Sequence, residues 1–268
     1  AERTFQMTRF LGLADVRSRI LTIDTCLSDQ RKMVLGDSVV IALPCLFRRF
    51  YVPRVSFRHI QRLVDESDIV HLIGHWTVLN VLVYWAIRNA KKPYVVCPAG
   101  ALSIFGRSKL LKKIYNLAIG TRIVKNATAC IAVTQAEGDY FISSGVALEK
   151  VVVLPNGISE SDFLSRRTDE FRSKHSLGAR PFVLFVGRLN LIKGPDLLLR
   201  AFGTLKERLP GVDLVFAGPD GGMLQQLGAM AESLGLANRV HFVGYVGGAE
   251  KSDAYHAAEL LVVPSRHE

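Results

Sequence analysis

The sequence contains few cysteines, no long apolar run and no cluster of metal-ligating residues. Its cysteines form neither a CxxC pair nor a disulfide framework, which favours free thiols in a reducing compartment. The longest strongly apolar stretch, near 78–87, is about half as long as a membrane-spanning helix. No initial run combines a charged start, an apolar middle and a cleavage site, so we expect a cytoplasmic protein. The four cysteines are Cys26, Cys45, Cys97 and Cys130.

The balance of charge is strongly basic. Lysine and arginine outnumber the acidic residues by 34 to 24, which gives a formal net charge of +10. This charge suits a polyanionic ligand, an anionic membrane surface or nucleic acid equally well. The sequence has no RNP-like aromatic stretch, no zinc-finger spacing and no bZIP pattern. We therefore expect no nucleic-acid partner, no bound metal and no other resident cofactor.

Short runs rich in valine, isoleucine and leucine alternate with helical patterns along the chain. Most of the runs are continuously apolar, as in parallel strands that are covered on both faces. This alternation predicts an α/β protein with doubly wound sheets. The predicted strands are 20–24, 39–43, 68–73, 94–97, 129–133, 151–154, 182–187, 213–218, 240–243 and 260–263. The predicted helices are 1–16, 57–65, 78–89, 109–125, 136–143, 195–208, 222–234 and 250–258.

The strands divide into two groups. The turn Pro155-Asn156-Gly157 closes the first group, and a charged, poorly periodic stretch follows it. We predict a first domain over 1–157, a linker over 158–180 and a second domain over 181–268. The sequence begins inside a helical pattern and stops soon after a strand, so we expect both domains to be incomplete here.

The clearest local motif is a strand that ends at Gly187, followed by a short loop and by a helix that begins near Pro195. A helix start offers free amides and a positive dipole end, which suits a phosphate. Arg188 and Lys193 bracket the loop and can bind the two phosphates of a nucleoside diphosphate. Two surface cations beside an ordinary strand-to-helix turn explain the pattern equally well.

Three further segments follow strand ends. The glycines in 216–222 permit either close approach to a ligand or a plain tight turn. His241 lies in a predicted strand, where a packed core histidine is the better interpretation than a ligand. Lys251 lies at a predicted helix start, where a cation gains nothing from the dipole, so it faces either an anion or solvent. Glu268 follows the last strand and either accepts hydrogen bonds from a sugar or belongs to a helix cap.

Taken in order, these segments resemble family 4 glycosyltransferases of the GT-B fold, over nearly the whole chain. Each segment is short, and it is their shared order and spacing that make the match specific. The resemblance implies two doubly wound, Rossmann-like domains that face a cleft. The matching segments are 70–76, 94–102, 131–134, 154–158, 187–194, 217–219 and 264–268.

The resemblance also implies roles for particular residues. In this family the arginine and lysine of the loop hold the donor diphosphate, a later loop receives the nucleotide base, and a glutamate contacts the transferred sugar. Arg188, Lys193 and Glu268 are therefore the implied catalytic residues. The implied donor-binding residues are Gly187, Arg188, Lys193, Tyr245, Val246, Lys251 and Glu268.

The reaction implied is metal-independent transfer of a sugar, with retention at the anomeric carbon, from a nucleotide-sugar donor to a glycan or polyprenyl-linked acceptor. Many members carry a histidine where this chain has Ala99. The alternatives are that this subgroup manages without it, that His71 or His75 takes a related role, or that activity is weak. Packing under Trp76 is an equally good interpretation of His75. A sugar-nucleotide epimerase and a non-catalytic nucleotide-sugar-binding protein are the competing functions.

A basic amphipathic helix is predicted over 109–125, and Arg107 precedes it. This helix predicts a peripheral contact with anionic lipid on the inner face of the cell membrane, which would bring the first domain to a lipid-linked acceptor. An ordinary helix with a solvated basic face is the alternative. A second cationic cluster consists of Arg48, Arg49, Arg54, Arg58 and Arg62.

Overall fold

The computed structural model describes residues 2–25, 35, 39–47, 51–102 and 108–266. The described chain divides into two compact units, Ala1–Gly157 and Ile158–Glu268. Within the described residues, no helix is both long and apolar enough to cross a membrane. The described cysteines Cys45, Cys97 and Cys130 are free thiols, and Cys26 lies outside the described residues.

The first unit is built on a four-stranded parallel sheet in the order β5-β6-β7-β8. Each of these strands was predicted from the sequence within two residues of its bounds. Two further strands, β1 and β2, form a separate parallel pair. The strands are β1 (Ile20–Ile23), β2 (Val40–Leu43), β5 (Val70–Ile73), β6 (Tyr94–Cys97), β7 (Ala129–Ala132) and β8 (Val151–Val153).

Helices pack against this sheet through their apolar faces. Ser56 and Thr77 cap the starts of two of them, because each hydroxyl accepts a hydrogen bond from the amide three residues on. Ile60, Ile87 and Phe141 are fully buried in the resulting core. The helices of the first unit are α1 (Glu2–Leu13), α2 (Phe57–Asp65), α3 (Val78–Ala90), α4 (Lys109–Tyr115), α5 (Thr121–Lys125) and α6 (Gln135–Ser143).

The helix predicted over 109–125 is interrupted. A π-helical turn, Asn116–Gly120, separates α4 from α5. A Cβ atom at position 120 would lie 2.5 Å from Asn116 Oδ1 and 2.7 Å from the Tyr115 ring, so any residue other than glycine would require these side chains to shift. The sequence also did not predict β3 (Cys45–Phe47) and β4 (Val52–Pro53), a short antiparallel pair.

The second unit contains one parallel sheet in the order β11-β10-β9-β12. Neighbouring side chains of its strands alternate between two apolar layers: Phe185 and Leu214 face one layer, and Leu184 and Val215 face the other. All four are buried, which accounts for the continuous apolar runs in the sequence. The strands are β9 (Phe182–Val186), β10 (Asp213–Ala217), β11 (Val240–Gly244) and β12 (Leu260–Leu261).

Residues 158–180, predicted as a linker, pack within the second unit. They form a 3-10 turn, Glu160–Phe163, and a helix that buries Phe171. Asp253 binds this stretch by accepting hydrogen bonds from Ser165 Oγ at 2.6 Å and the Arg167 amide at 2.8 Å. We therefore assign 158–180 to the second unit. Its helices are α7 (Thr168–Lys174), α8 (Pro195–Thr204), α9 (Leu224–Ser233) and α10 (Gly248–Ala257).

Candidate functional site

Three loops meet at the carboxyl edge of the sheet in the second unit. The amide of Gly187, after β9, donates to the carbonyl oxygen of Ala217 at 2.9 Å. The amide of Gly218, which follows β10, donates to the carbonyl oxygen of Gly244, the last residue of β11, at 2.6 Å. Ligands of open parallel sheets bind at this edge, so the predicted residues of all three loops share one location.

The first two loops are also bound to each other. The Leu189 amide donates to the Pro219 carbonyl oxygen and the Gly221 amide to the Leu189 carbonyl oxygen, each at 3.0 Å. A Cβ atom at Gly218 would penetrate the carbonyl group of Gly187, and one at Gly221 would lie 2.8 Å from Arg188 Cγ. The sequence left open whether these glycines serve a turn or a ligand. Their immediate role is to let the two loops touch.

The loop between β9 and α8 presents two cations. Arg188 is exposed and Lys193 is half-buried. Asn190 shapes the loop between them: its amide donates to the Arg188 carbonyl oxygen at 2.8 Å, and its side-chain oxygen accepts from the Lys193 amide at 3.0 Å. Gly194 then adopts a left-handed conformation, with φ of 66°, and Pro195 begins α8. Both cations therefore lie on the loop between β9 and α8, whose backbone Asn190 holds in place.

The start of α8, which the sequence suggests as a phosphate site, carries an acidic residue of its own. The buried carboxylate of Asp196 lies in the first turn of this helix. It accepts two hydrogen bonds from Arg266, at 2.7 and 2.6 Å. These bonds, with the help of its own amide, hold the pKa of Asp196 below its ordinary value. An internal carboxylate therefore takes the positive end of the helix dipole.

The segment after β12 is joined to the cation-bearing loop. The Arg266 amide donates to the Ile192 carbonyl oxygen, and its guanidinium donates to the Leu191 carbonyl oxygen, both at 2.8 Å. Arg266 lies two residues before Glu268. Glu268 itself lies outside the described residues.

The remaining predicted donor residues differ in exposure. Tyr245 is 72% exposed beside the ends of β10 and β11, whereas Val246 is 5% exposed and its side chain belongs to the core. A contact between Val246 and a base would have to come from its backbone. Lys251 lies on α10 with its Nζ atom 5.4 Å from the centre of the Phe163 ring, in a cation–π contact.

His241 lies in β11, where its Nε2 atom is 3.0 Å from Oδ2 of the buried Asp213. Asp213 is the first residue of β10, at the edge of the sheet opposite to the loops described above. The histidine is therefore part of the packing of the sheet. This placement supports the interpretation of His241 as a structural residue.

In the first unit, a tight turn follows β6. Ala99 and Gly100 both have left-handed φ angles, 52° and 81°, and both are exposed. The buried Glu137 holds this turn: one carboxylate oxygen accepts from the Gly100 amide and the other from the Val133 amide, each at 2.8 Å. Ala99, at the position where the family resemblance implies a histidine, is thus presented on a fixed backbone.

The two histidines that the sequence offers in place of that residue differ in burial, because His71 is half-buried and His75 is buried. His75 is 4% exposed, packs edge-on against Trp76 and Tyr115, and has its Nε2 atom 2.9 Å from Asn116 Oδ1. Burial lowers the pKa of His75 below its ordinary value. Burial, with a smaller contribution from the nearby Arg3 charge, lowers the pKa of His71 to about 4.

Asp196, Arg266 and Glu137 organise these loops, and the sequence did not predict them. Asp196 and Arg266 are 70 residues apart, so no local pattern indicates their pairing. Glu137 did leave a signal, because the spacing Thr134-x-x-Glu137 is that of a capping box. Within the described ranges, no three His, Cys, Asp or Glu side chains cluster as a metal site would require.

Comparisons with known proteins agree with this architecture. Residues 2–157 match the family model of the glycosyl transferase 4-like domain, and residues 167–268 match that of glycosyl transferases group 1. The D-inositol 3-phosphate glycosyltransferase of Actinosynnema mirum is 36% identical over 231 residues, which cover 76% of this chain and 54% of that protein. The chain thus spans about half of the length of this relative.

The solved structure of HepE from Anabaena, in complex with UDP and glucose, has a TM-score of 0.73 at 20% identity and covers 98% of this chain and 70% of its own. Sucrose-phosphate synthase from Thermosynechococcus elongatus has a TM-score of 0.68 at 19% identity, covering 98% and 69%. At such identities the likeness establishes the fold, which is GT-B. The family models go further: the chain belongs to the family 4 glycosyltransferases.

Proposed function

We propose that the chain carries the donor-binding part of a retaining, metal-independent glycosyltransferase that uses a nucleotide sugar. The observation that carries the proposal is the loop from Gly187 to Gly194. It presents Arg188 and Lys193 together at the ligand-binding edge of a parallel sheet, beside the exposed Tyr245. The acceptor is a glycan or a polyprenyl-linked glycan.

The two cations suit the chemistry of sugar transfer. When the bond between the anomeric carbon and the diphosphate breaks, negative charge develops on the departing nucleoside diphosphate. Arg188 offers a planar fork of donors and Lys193 a compact charge, and both stabilise this leaving group more in the transition state than before it. We infer that the cations replace a metal ion in this role and that Glu268 binds the hydroxyls of the transferred sugar.

The uridine nucleotide is the first donor to test, because the structurally similar HepE was solved with UDP-glucose. Two other functions compete. An epimerase would convert the nucleotide sugar in the absence of an acceptor, and a non-catalytic binding protein would bind it without turnover. The exposed Ala99 in place of the usual histidine favours testing the second of these directly.

A thermal-shift titration of the full-length enzyme tests the donor site. We expect one of the UDP-, GDP- or ADP-sugars to raise the melting temperature without divalent metal, and Lys193→Ala to abolish that shift. At ligand concentrations of about 100 times Kd, binding stabilises by about 2.7 kcal/mol. Lys206→Ala is the matched control: Lys206 donates to the Leu234 carbonyl oxygen, away from the loops. A folded wild-type enzyme that no donor stabilises would contradict the proposal.

A second proposal concerns the membrane. Helix α4 buries none of its residues, and its apolar side chains are exposed. Lys109 and Lys113 are exposed on the same helix. An exposed apolar row flanked by cations is the pattern of a helix that lies in an anionic lipid surface, so we propose such a surface as its partner. The row consists of Leu110 (72% exposed), Leu111 (45%) and Ile114 (53%). Arg107, which precedes this helix, lies outside the described residues, as do Arg48 and Arg49 of the second cationic cluster.

Co-sedimentation with vesicles tests this surface. We expect full-length enzyme to pellet with phosphatidylglycerol vesicles and not with phosphatidylcholine vesicles, and Leu110→Ser/Ile114→Ser to reduce pelleting about tenfold by removing buried apolar area. Leu148→Ser is the control, because Leu148 is an equally exposed leucine (69%) in a different turn. Equal pelleting with both kinds of vesicle would exclude the electrostatic part of the contact.

A further inference from the structure

The side chain of Arg266 joins two segments that are far apart in the sequence. Its guanidinium binds both carboxylate oxygens of Asp196, at the start of α8, and the Leu191 carbonyl oxygen in the preceding loop. Its amide binds the Ile192 carbonyl oxygen. Four hydrogen bonds from one residue therefore fix the residues on both sides of Lys193.

The two backbones also touch directly. Gly194 has a left-handed φ of 66°, and a Cβ atom at this position would collide with the carbonyl oxygen of Pro264. The loop that carries Lys193 and the segment that leads to Glu268 thus have no space between them at this point. A displacement of one segment must move the other, because packed backbone cannot be compressed.

The pairing has an electrostatic consequence for the loop. Asp196 is 7% exposed and lies three residues after Lys193. Arg266 neutralises its charge and saturates both of its oxygens. If Arg266 were removed, the buried carboxylate of Asp196 would lose this partner in the first turn of α8, three residues after Lys193. An unpaired negative charge on Asp196 would weaken the binding of a diphosphate nearby, because like charges repel.

We propose that Arg266 is a positioning residue of the donor site. Through Asp196 and the carbonyl oxygens of the loop, it sets Lys193 and the segment 264–266 as one rigid group. It also keeps the negative charge of Asp196 away from the diphosphate. This inference rests on the proposed function, and it assigns to Arg266 no contact with the donor itself.

Steady-state kinetics and donor affinity of full-length variants test the assignment. Lysine at position 266 keeps the charge but lacks the planar guanidinium that binds both carboxylate oxygens and the Leu191 carbonyl oxygen at once. For Arg266→Lys we expect kcat/KM for the donor to fall about 10- to 100-fold, since misplacement of binding groups by about 1 Å has effects of that size. For Arg266→Met we expect a larger loss of donor affinity.

A double variant separates charge from position. In Arg266→Met/Asp196→Asn the unpaired carboxylate is gone, so we expect donor affinity to recover in part while kcat stays low. Arg239→Lys is the matched control, because Arg239 donates to the carbonyl oxygens of Val212 and Lys206 near the opposite edge of the sheet. It should lower the melting temperature and leave the donor KM unchanged.

The outcomes distinguish this inference from the proposed function. If the wild-type enzyme binds no nucleotide sugar, the proposed function fails. If the wild-type enzyme binds one, Lys193→Ala abolishes binding and Arg266→Lys retains wild-type kcat and KM well below its melting temperature, the pair is merely stabilising. That last result would overturn the positioning role alone.

Discussion

Substituting Gly218 by alanine is expected to destabilise the second unit by about 3 to 5 kcal/mol. Its φ of 155° is one that side-chain-bearing residues rarely adopt, and a Cβ atom would penetrate the carbonyl group of Gly187. Backbone strain of this kind costs about 1 to 3 kcal/mol, and overpacking against rigid backbone costs a similar amount. Because the clash is with backbone, no side chain can rotate away to relieve it.

Urea unfolding of the full-length protein measures this effect, with the unfolding transition of the second unit as the signal that is monitored. Gly228→Ala is the matched control: Gly228 lies within α9 with nothing within 4 Å of an added Cβ atom. Alanine there should stabilise by about 0.5 to 1 kcal/mol, because it is the better helix former. An unchanged midpoint for Gly218→Ala would show that the two loops are not in contact.

Removing the carboxylate of Glu137 is expected to have the second large effect. Glu137→Ala leaves the amides of Gly100 and Val133 without their acceptor inside the first unit, and hydrogen bonds to a charged group contribute about 1.5 to 3 kcal/mol each. We expect a loss of about 3 kcal/mol or more in the free energy of unfolding. Glu137→Gln should lose less, because its amide oxygen still accepts from one of the two amides.

Chemical denaturation of the two variants tests whether Glu137→Ala loses more stability than Glu137→Gln. Glu149→Gln is the control, because Glu149 is exposed in a 3-10 turn of the same unit and should change stability by less than about 0.5 kcal/mol. A second readout is the amide proton of Gly100, which should exchange with solvent faster in both Glu137 variants. If Glu137→Ala were as stable as the wild type, the turn after β6 would be held by other contacts.

Much of the fold was predictable from the sequence, because parallel strands that are covered on both faces have continuously apolar sequences. Phe182–Val186 and Asp213–Ala217 are buried almost throughout, and each was predicted to within one residue. Helix α2 was predicted with its observed bounds, since Ser56 caps it and Ile60 and Val64 mark its buried face.

The elements that the sequence did not predict lack such a pattern. Helix α7 buries Phe171 alone among seven mainly charged and polar residues, so no period is visible. The pair β3–β4 is two to three residues long in each strand and includes Pro53. The π-helical turn at Asn116–Gly120 adds one residue to a helical turn without changing the composition of the helix.

In the candidate site, too, some residues were predictable from a local sequence pattern and others were not. Arg188 and Lys193 were predicted because both lie on one short loop after an apolar strand. The carboxylate of Asp196 was also visible beside them, but its partner Arg266 follows β12, which pairs with β9 across the sheet. Only the three-dimensional arrangement shows that this carboxylate is bound by an arginine that lies 70 residues away in the sequence.

The cross-bonding of the loops determines how recognition can operate in the second unit. The amides of Gly187 and Gly218 are bound to the last residues of the neighbouring strands, and the amide of Leu189 is bound to the neighbouring loop. A preorganised site of this kind loses little conformational entropy when it is filled, whereas a site made of separate flexible loops must first be ordered. The free energy of its polar contacts is consequently available for discriminating one ligand from another.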